Sequence, residues 1–159
     1  MNDIKKILVP IDFSKSSPKI VDYAKYFTGK HEAKLVILNV VESIQNYEGF
    51  AIPHISLAQL SEGLLQSAEK KMADFVEEHM GQPIAYEAKV LMGYVDEEIN
   101  RFAQKEGVDL IIMGTHGYRG FEHALFGSVA EKVVKTAPCP VLLINPFKEE
   151  ASRRLKKTW

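Results

Sequence analysis

At 159 residues the chain is long enough for one domain with a core of its own, and its 46% hydrophobic and 26% charged residues are those of an ordinary globular protein. A net charge of −1 excludes a general nucleic-acid binder, and a single cysteine excludes an internal disulfide and fits a reducing compartment. The apolar run after Met1-Asn2-Asp3-Ile4-Lys5-Lys6 is too short for a signal peptide core, and no stretch approaches membrane-spanning length, so a cytoplasmic protein is expected, with no nucleic acid and no membrane as partner.

The first element is a strand over residues 4–11, where Ile7-Leu8-Val9 reads as buried on both faces and runs into Pro10. Asp12-Phe13-Ser14-Lys15-Ser16-Ser17 is a turn with helix-capping chemistry, and Pro18 suits a first helical turn. A helix follows with Ile20, Tyr23, Ala24 and Phe27 on one face, and Gly29 is its expected stop. Residues 33–41 form a second apolar strand. Residues 43–55 form a loop whose length points to function or mobility. Over residues 56–80, Leu57, Leu60, Leu64, Leu65, Ala68, Met72, Phe75 and Val76 recur at helical spacing, with Gly81 as the expected terminator. A strand near an edge is expected over 84–92, a helix over 94–106, and a buried strand over 108–113. A glycine-rich loop over 114–126, a helix over 127–136 and a strand over 139–144 complete the chain.

Strands alternating with helices predict an α/β fold, a doubly wound, five-stranded parallel sheet with helices on both faces, Rossmann-like; the expected strand order is 3-2-1-4-5. Ligands in such sheets sit beyond the carboxyl ends of the strands, where the strand order reverses. The first strand ends at Pro10-Ile11-Asp12 and the fourth at Met113-Gly114, so these ends should flank the cleft. Residues 1–147 are expected to form the domain. Residues 148–159, with Arg153, Arg154, Lys156 and Lys157, read as a basic C-terminal tail.

The segment that carries chemistry is Gly114-Thr115-His116-Gly117, then nine residues, then Gly127-Ser128. Glycines let backbone approach a ligand, and the unpaired N–H groups opening the last helix can hold phosphate, aided by the helix dipole. A competing reading is local: Ser128 and Glu131 also match a capping box. Asp12 is a candidate ribose acceptor, an outer ligand to Mg²⁺ on phosphates, or a cap for the Ser14 turn. His116 and Arg119 are candidate phosphate contacts or exposed loop residues. Cys139, flanked by prolines, reads as a packing residue rather than a reactive thiol.

Taken with its neighbours, this spacing resembles the ATP-binding branch of the universal stress proteins, with their adenine nucleotide alpha-hydrolase-like fold. The likeness rests on Lys6-Ile7-Leu8-Val9-Pro10-Ile11-Asp12-Phe13-Ser14, on Asp109-Leu110-Ile111-Ile112-Met113-Gly114-Thr115-His116-Gly117, and on Cys139-Pro140-Val141-Leu142-Leu143. It implies ATP, or AMP or ADP, as cofactor, with Mg²⁺ or Mn²⁺. Pro10, Ile11 and Asp12 would border the adenosine, Val40 would contact adenine, and Met113 and Gly114 would face base and ribose. His116 and Gly117 would meet the phosphates through the loop, and Gly127, Ser128, Val129 and Ala130 would cradle them. One departure is Gly93-Tyr94-Val95, where the family often has Gly-x-Pro before the third helix.

The implied function is a nucleotide-holding regulator in stress response. The phosphate loops of the familiar fast ATP-consuming enzymes are absent, so at most slow hydrolysis is expected. The alternatives are a nucleotide-independent scaffold acting through protein partners, and a flavodoxin-like FMN binder using Ser14, Ser16 and Ser17. In the order 3-2-1-4-5 the strand over residues 139–144 lies at an edge and carries no charge. Pairing with a second copy would form a homodimer, which the resemblance also implies. The other possibility is that the tail folds back over that edge.

Overall fold

The computed structural model describes residues 3–44, 56–81, 84–115 and 127–146. Strands β1 (Lys6–Pro10), β2 (Lys34–Glu42), β3 (Tyr86–Gly93), β4 (Leu110–Gly114) and β5 (Val141–Ile144) alternate with helices α1 (Ser17–His31), α2 (Leu57–His79), α3 (Val95–Lys105) and α4 (Ser128–Thr136). All pairings are parallel, as the alternation predicts, and the order is β3-β2-β1-β4-β5, the order expected.

The central strands carry apolar side chains to both faces because helices cover both. Ile7 and Val9 of β1, Leu35 and Ile37 of β2, and Leu110 and Ile112 of β4 pack with Ile20, Val21 and Ala24 of α1 and Met72 and Phe75 of α2. Leu8, Val36, Leu38, Ile111 and Met113 point the other way, onto Ile99 and Ala103 of α3 and Ala130 and Val133 of α4. Ile7, Leu8, Val9, Ile37 and Ile111 are fully buried, each worth about 1.5–3 kcal/mol of burial. The connection leaving β1 therefore goes to one face and the connection leaving β4 to the other, and a crevice opens between their ends.

Helix ends differ from the sequence expectations for identifiable reasons. α1 does not stop at Gly29. It runs to His31, and Glu32 takes the left-handed conformation (φ 51°), donating its N–H to Thr28 O. α2 starts at a capping box, in which Ser56 Oγ accepts from Gln59 N at 3.1 Å and Gln59 Oε1 accepts from Ser56 N at 3.2 Å. It ends at His79, with Met80 at φ −104° as its C-cap, so the turn needs no left-handed glycine and Gly81 lies outside the helix. α3 opens at Val95 after Tyr94 without the Gly-x-Pro turn, and Asp96, Glu97 and Glu98 in its first turn complement the helix dipole. The last strand begins at Val141, so Cys139 and Pro140 precede it.

Candidate functional site

The site is built where β1 and β4 end side by side. Pro10 closes β1, and Ile11 still donates its N–H to Leu38 O at 2.8 Å before the chain leaves the sheet. Its carbonyl accepts from the Asn39 side chain, Nδ2 to O, at 2.9 Å. Phe13 then adopts φ 57° and sets its ring edge-on against Phe75, 6.1 Å between centroids. Around that turn Asp12 Oδ1 accepts from Ser14 N at 2.9 Å and from Ser17 Oγ at 3.1 Å. Asp12 therefore closes the turn that feeds α1. The N-cap position of α1 belongs to Ser16, whose side chain makes no capping bond.

On the other side of the crevice, Thr115 follows β4 and is 5% exposed. Its N–H donates to Ile144 O at 2.9 Å, and its carbonyl accepts from Gly127 N at 2.6 Å. The start of α4 is thus pinned to the end of β4. Gly127 is the N-cap of α4, with φ −70° and ψ 153°, and as a glycine it brings no side chain to cap the helix. Glu131 N closes the first helical bond onto Gly127 O at 3.0 Å, so the N–H groups of Ser128, Val129 and Ala130 have no intrahelical partner. The capping box expected from Ser128 and Glu131 does not form. Ser128 sits one place inside the helix, and Glu131 instead accepts from Lys135 Nζ at 2.7 Å. Gly127's own N–H is committed to Thr115, which leaves the next groups along for an anion.

Val40 lies near the carboxyl end of β2, paired with Leu91 and half-buried on the α3 side. Met113 and Gly114 are the last residues of β4, Met113 buried and Gly114 half-buried. The structure therefore places Pro10, Ile11, Asp12, Val40, Met113, Gly114, Gly127, Ser128, Val129 and Ala130 on adjacent strand ends and one helix start. His116, Gly117 and Arg119 lie outside the described residues, as does the basic tail. Asn39 had no role in the sequence expectations, and Thr115 and Ser17 stood there only inside longer motifs, although all three hold the site's frame. Asn39 had a signal: it is the lone polar residue in Leu35-Val36-Ile37-Leu38-Asn39-Val40-Val41.

Ser17, a candidate in the flavodoxin-like reading, is 3% exposed and its hydroxyl is bound to Asp12, which takes it out of a flavin phosphate loop. Cys139 is half-buried and packs against the α3–α4 side of the core. Burial pushes its thiol above the ordinary value, the Asp109 carboxylate adds to that, and a backbone hydrogen bond from Ile111 opposes it. Among the described residues no group of three or more His, Cys, Asp or Glu side chains could hold a metal ion, and no helix is long and apolar enough to cross a membrane.

The family model described as the universal stress protein family matches residues 3–145. The chain is 35% identical over 153 residues to a universal stress protein of Methanocaldococcus jannaschii, covering 94% of this chain and 86% of that protein. A second protein of the same organism, whose solved structure served to assign a biochemical function, is 31% identical with a TM-score of 0.76, over 91% of this chain and 97% of that one. A universal stress protein of Archaeoglobus fulgidus, solved in complex with dAMP, shares the fold at 18% identity and a TM-score of 0.63, over 91% of this chain and 100% of that one.

Proposed function

The chain belongs to the universal stress protein family, and from that premise we propose that it holds ATP, or AMP or ADP, with Mg²⁺ or Mn²⁺ on the phosphates, as a regulator in the stress response. The observation that carries this reading is the pinned start of α4. The bond from Gly127 N to Thr115 O sets the uncapped N–H groups of Ser128, Val129 and Ala130 beside the end of β4. Three such donors at a helix N-terminus suit a phosphate. The neighbouring strand ends supply backbone and apolar groups for a nucleoside, with Val40 and Met113 for the base and Pro10, Ile11, Asp12 and Gly114 for the adenosine. His116 and Gly117 are assigned to the phosphates by the same reading. A dAMP complex of the same fold supports an adenine nucleotide as the ligand class.

On this reading the protein holds a nucleotide rather than consuming it quickly, since the phosphate loops of the familiar fast ATP-consuming enzymes are missing from the sequence. A bound cation would neutralise phosphate charge, and Asp12 is the acidic side chain at the strand end nearest in sequence to that role. We place the protein in the cytoplasm and assign it a homodimer through the β5 edge, where, among the described residues, Val141–Ile144 pairs with β4 alone.

Two measurements test this function. Acid extraction of the purified protein followed by chromatography should release adenine nucleotide. A ligand at a hundredfold excess over its Kd adds about 2.7 kcal/mol to stability, which for a chain of this size raises the melting temperature by roughly 5–10 °C. ATP with Mg²⁺ should do this and GTP should do less. No extracted nucleotide and no shift with ATP or AMP would leave the nucleotide-independent scaffold.

A further inference from the structure

The ladder between β1 and β2 breaks at the site in an unusual way. Alternate residues of β2 turn their backbone groups toward β1: Lys34 N donates to Lys5 O at 2.8 Å, and Leu38 O accepts from Ile11 N at 2.8 Å. Leu35, between them, turns to the other side and donates to Ala85 O at 3.1 Å. By this alternation Val40 faces the β1 side, and the next rung would run from Val40 N–H to Ile11 O. That acceptor is held instead by Asn39 Nδ2 at 2.9 Å. Asn39 is 7% exposed in a strand otherwise apolar along its central stretch, and burying an amide is costly unless it makes a needed bond. Beyond Ile11 the chain turns off toward α1, so no later residue of β1 continues the ladder.

We infer that Asn39 is a positioning residue for base recognition: by holding the Ile11 carbonyl it keeps β1 off β2 and leaves the N–H and C=O of Val40 available to the edge of a purine. This rests on the nucleotide reading above and adds the choice of base. A backbone N–H beside a backbone C=O offers one donor and one acceptor. Adenine's N1 accepts and its N6 amino group donates, which matches. Guanine's N1–H donates and its O6 accepts, which opposes the same pair at the same register. Without Asn39, the Ile11 carbonyl is free to take the Val40 N–H, closing the rung and removing the donor from the pocket.

The test compares the full-length wild-type chain with Asn39→Leu, with Asn39→Ser, which is too short to reach the carbonyl, and with Asn39→His, whose Nδ1 sits at the bond distance of the asparagine Nδ2. Amide hydrogen exchange at Val40 in the nucleotide-free protein is one readout. The ratio of ATP to GTP affinity, by calorimetry, is the other. Exchange at Val40 should slow at least tenfold in Asn39→Leu or Asn39→Ser. The preference for ATP should fall at least tenfold, about 1.4 kcal/mol, with Asn39→His keeping both near wild type. Unchanged Val40 exchange with an unchanged ATP-to-GTP ratio in a folded variant would overturn the inference. So would an equal loss for both nucleotides accompanied only by a lower melting temperature, which is what a merely structural amide produces. If wild-type protein binds neither nucleotide, the functional reading fails, and the Val40 exchange still decides what Asn39 does to the ladder.

Discussion

Gly127 has an extended backbone that any residue can adopt, so its value lies in the absence of a side chain. Gly127→Asp would place a good capping carboxylate on the N–H groups of Val129 or Ala130 and add a negative charge where phosphate should sit. The fold should hold or gain slightly, while ATP affinity falls at least tenfold, about 1.4 kcal/mol. Calorimetry giving wild-type affinity in the folded variant would displace the phosphates from α4. Cys139 is a second residue-scale case. With its thiol pushed up by burial, the thiolate is scarce at neutral pH. Labelling by iodoacetamide at pH 7.5 should be at least tenfold slower than for free cysteine, and a rate equal to free cysteine would contradict the packing role. Gly127, Asp12 and the strand-end residues could be picked out as candidates because their chemistry is local to a short segment. Asn39 and Thr115 were not, since what matters in each is a bond to a carbonyl 28 residues earlier or to strand and helix ends far along the chain.

Among elements, the strands were the most legible and the helix ends the least. Continuous apolar runs such as Ile7-Leu8-Val9 have one use in this fold, burial between two helical layers. Helix ends depend on which residue bears a left-handed turn, and at α1 that is Glu32 although Gly29 stands three residues earlier. The two edge strands contrast in chemistry. β3 carries Glu87 between Lys34, at 2.6 Å, and Lys89, at 2.8 Å, whereas β5 is apolar throughout. The ammonium groups of Lys34 and then Lys89 hold the Glu87 carboxyl down to about 2, against an ordinary 4.5. A depressed carboxyl pKa stabilises the fold above its ordinary value and loses that contribution as pH falls from about 4.5 toward about 2. The groups are surface-exposed, so the effect is small, about 0.5 kcal/mol. Glu87→Gln should lower neutral-pH stability by that amount and make denaturation curves less pH-dependent within this window. An unaltered acid limb would show that the trio contributes nothing.

For the whole molecule, the β5 edge, which pairs with β4 alone among the described residues, sets the expected assembly. Its outer backbone groups need partners, and a second β5 in a two-fold contact would supply them. Val141→Lys would put an unpaired charge into that contact and should shift a dimer toward monomer in light scattering at micromolar protein. Nucleotide affinity should remain near wild type, since Val141 opens the strand at the end away from the crevice. A wild-type monomer at that concentration would remove the dimer and favour cover by the tail. The parallel, doubly wound sheet was legible from the alternation of elements, because parallel strands require crossovers, whereas the strand order β3-β2-β1-β4-β5 does not follow from alternation alone.

The bond from Gly127 N to Thr115 O separates the length of the intervening segment from the position of α4. In a chain closed at its base, doubling the enclosed length costs only about 0.6 kcal/mol. A short reporter peptide inserted at Glu122 should therefore leave the α4 donors in register while disturbing whatever Gly117 contributes. This makes residues 116–126 a graft point for a nucleotide sensor, and residual ATP affinity in such a graft would measure how much of the phosphate grip belongs to the helix alone.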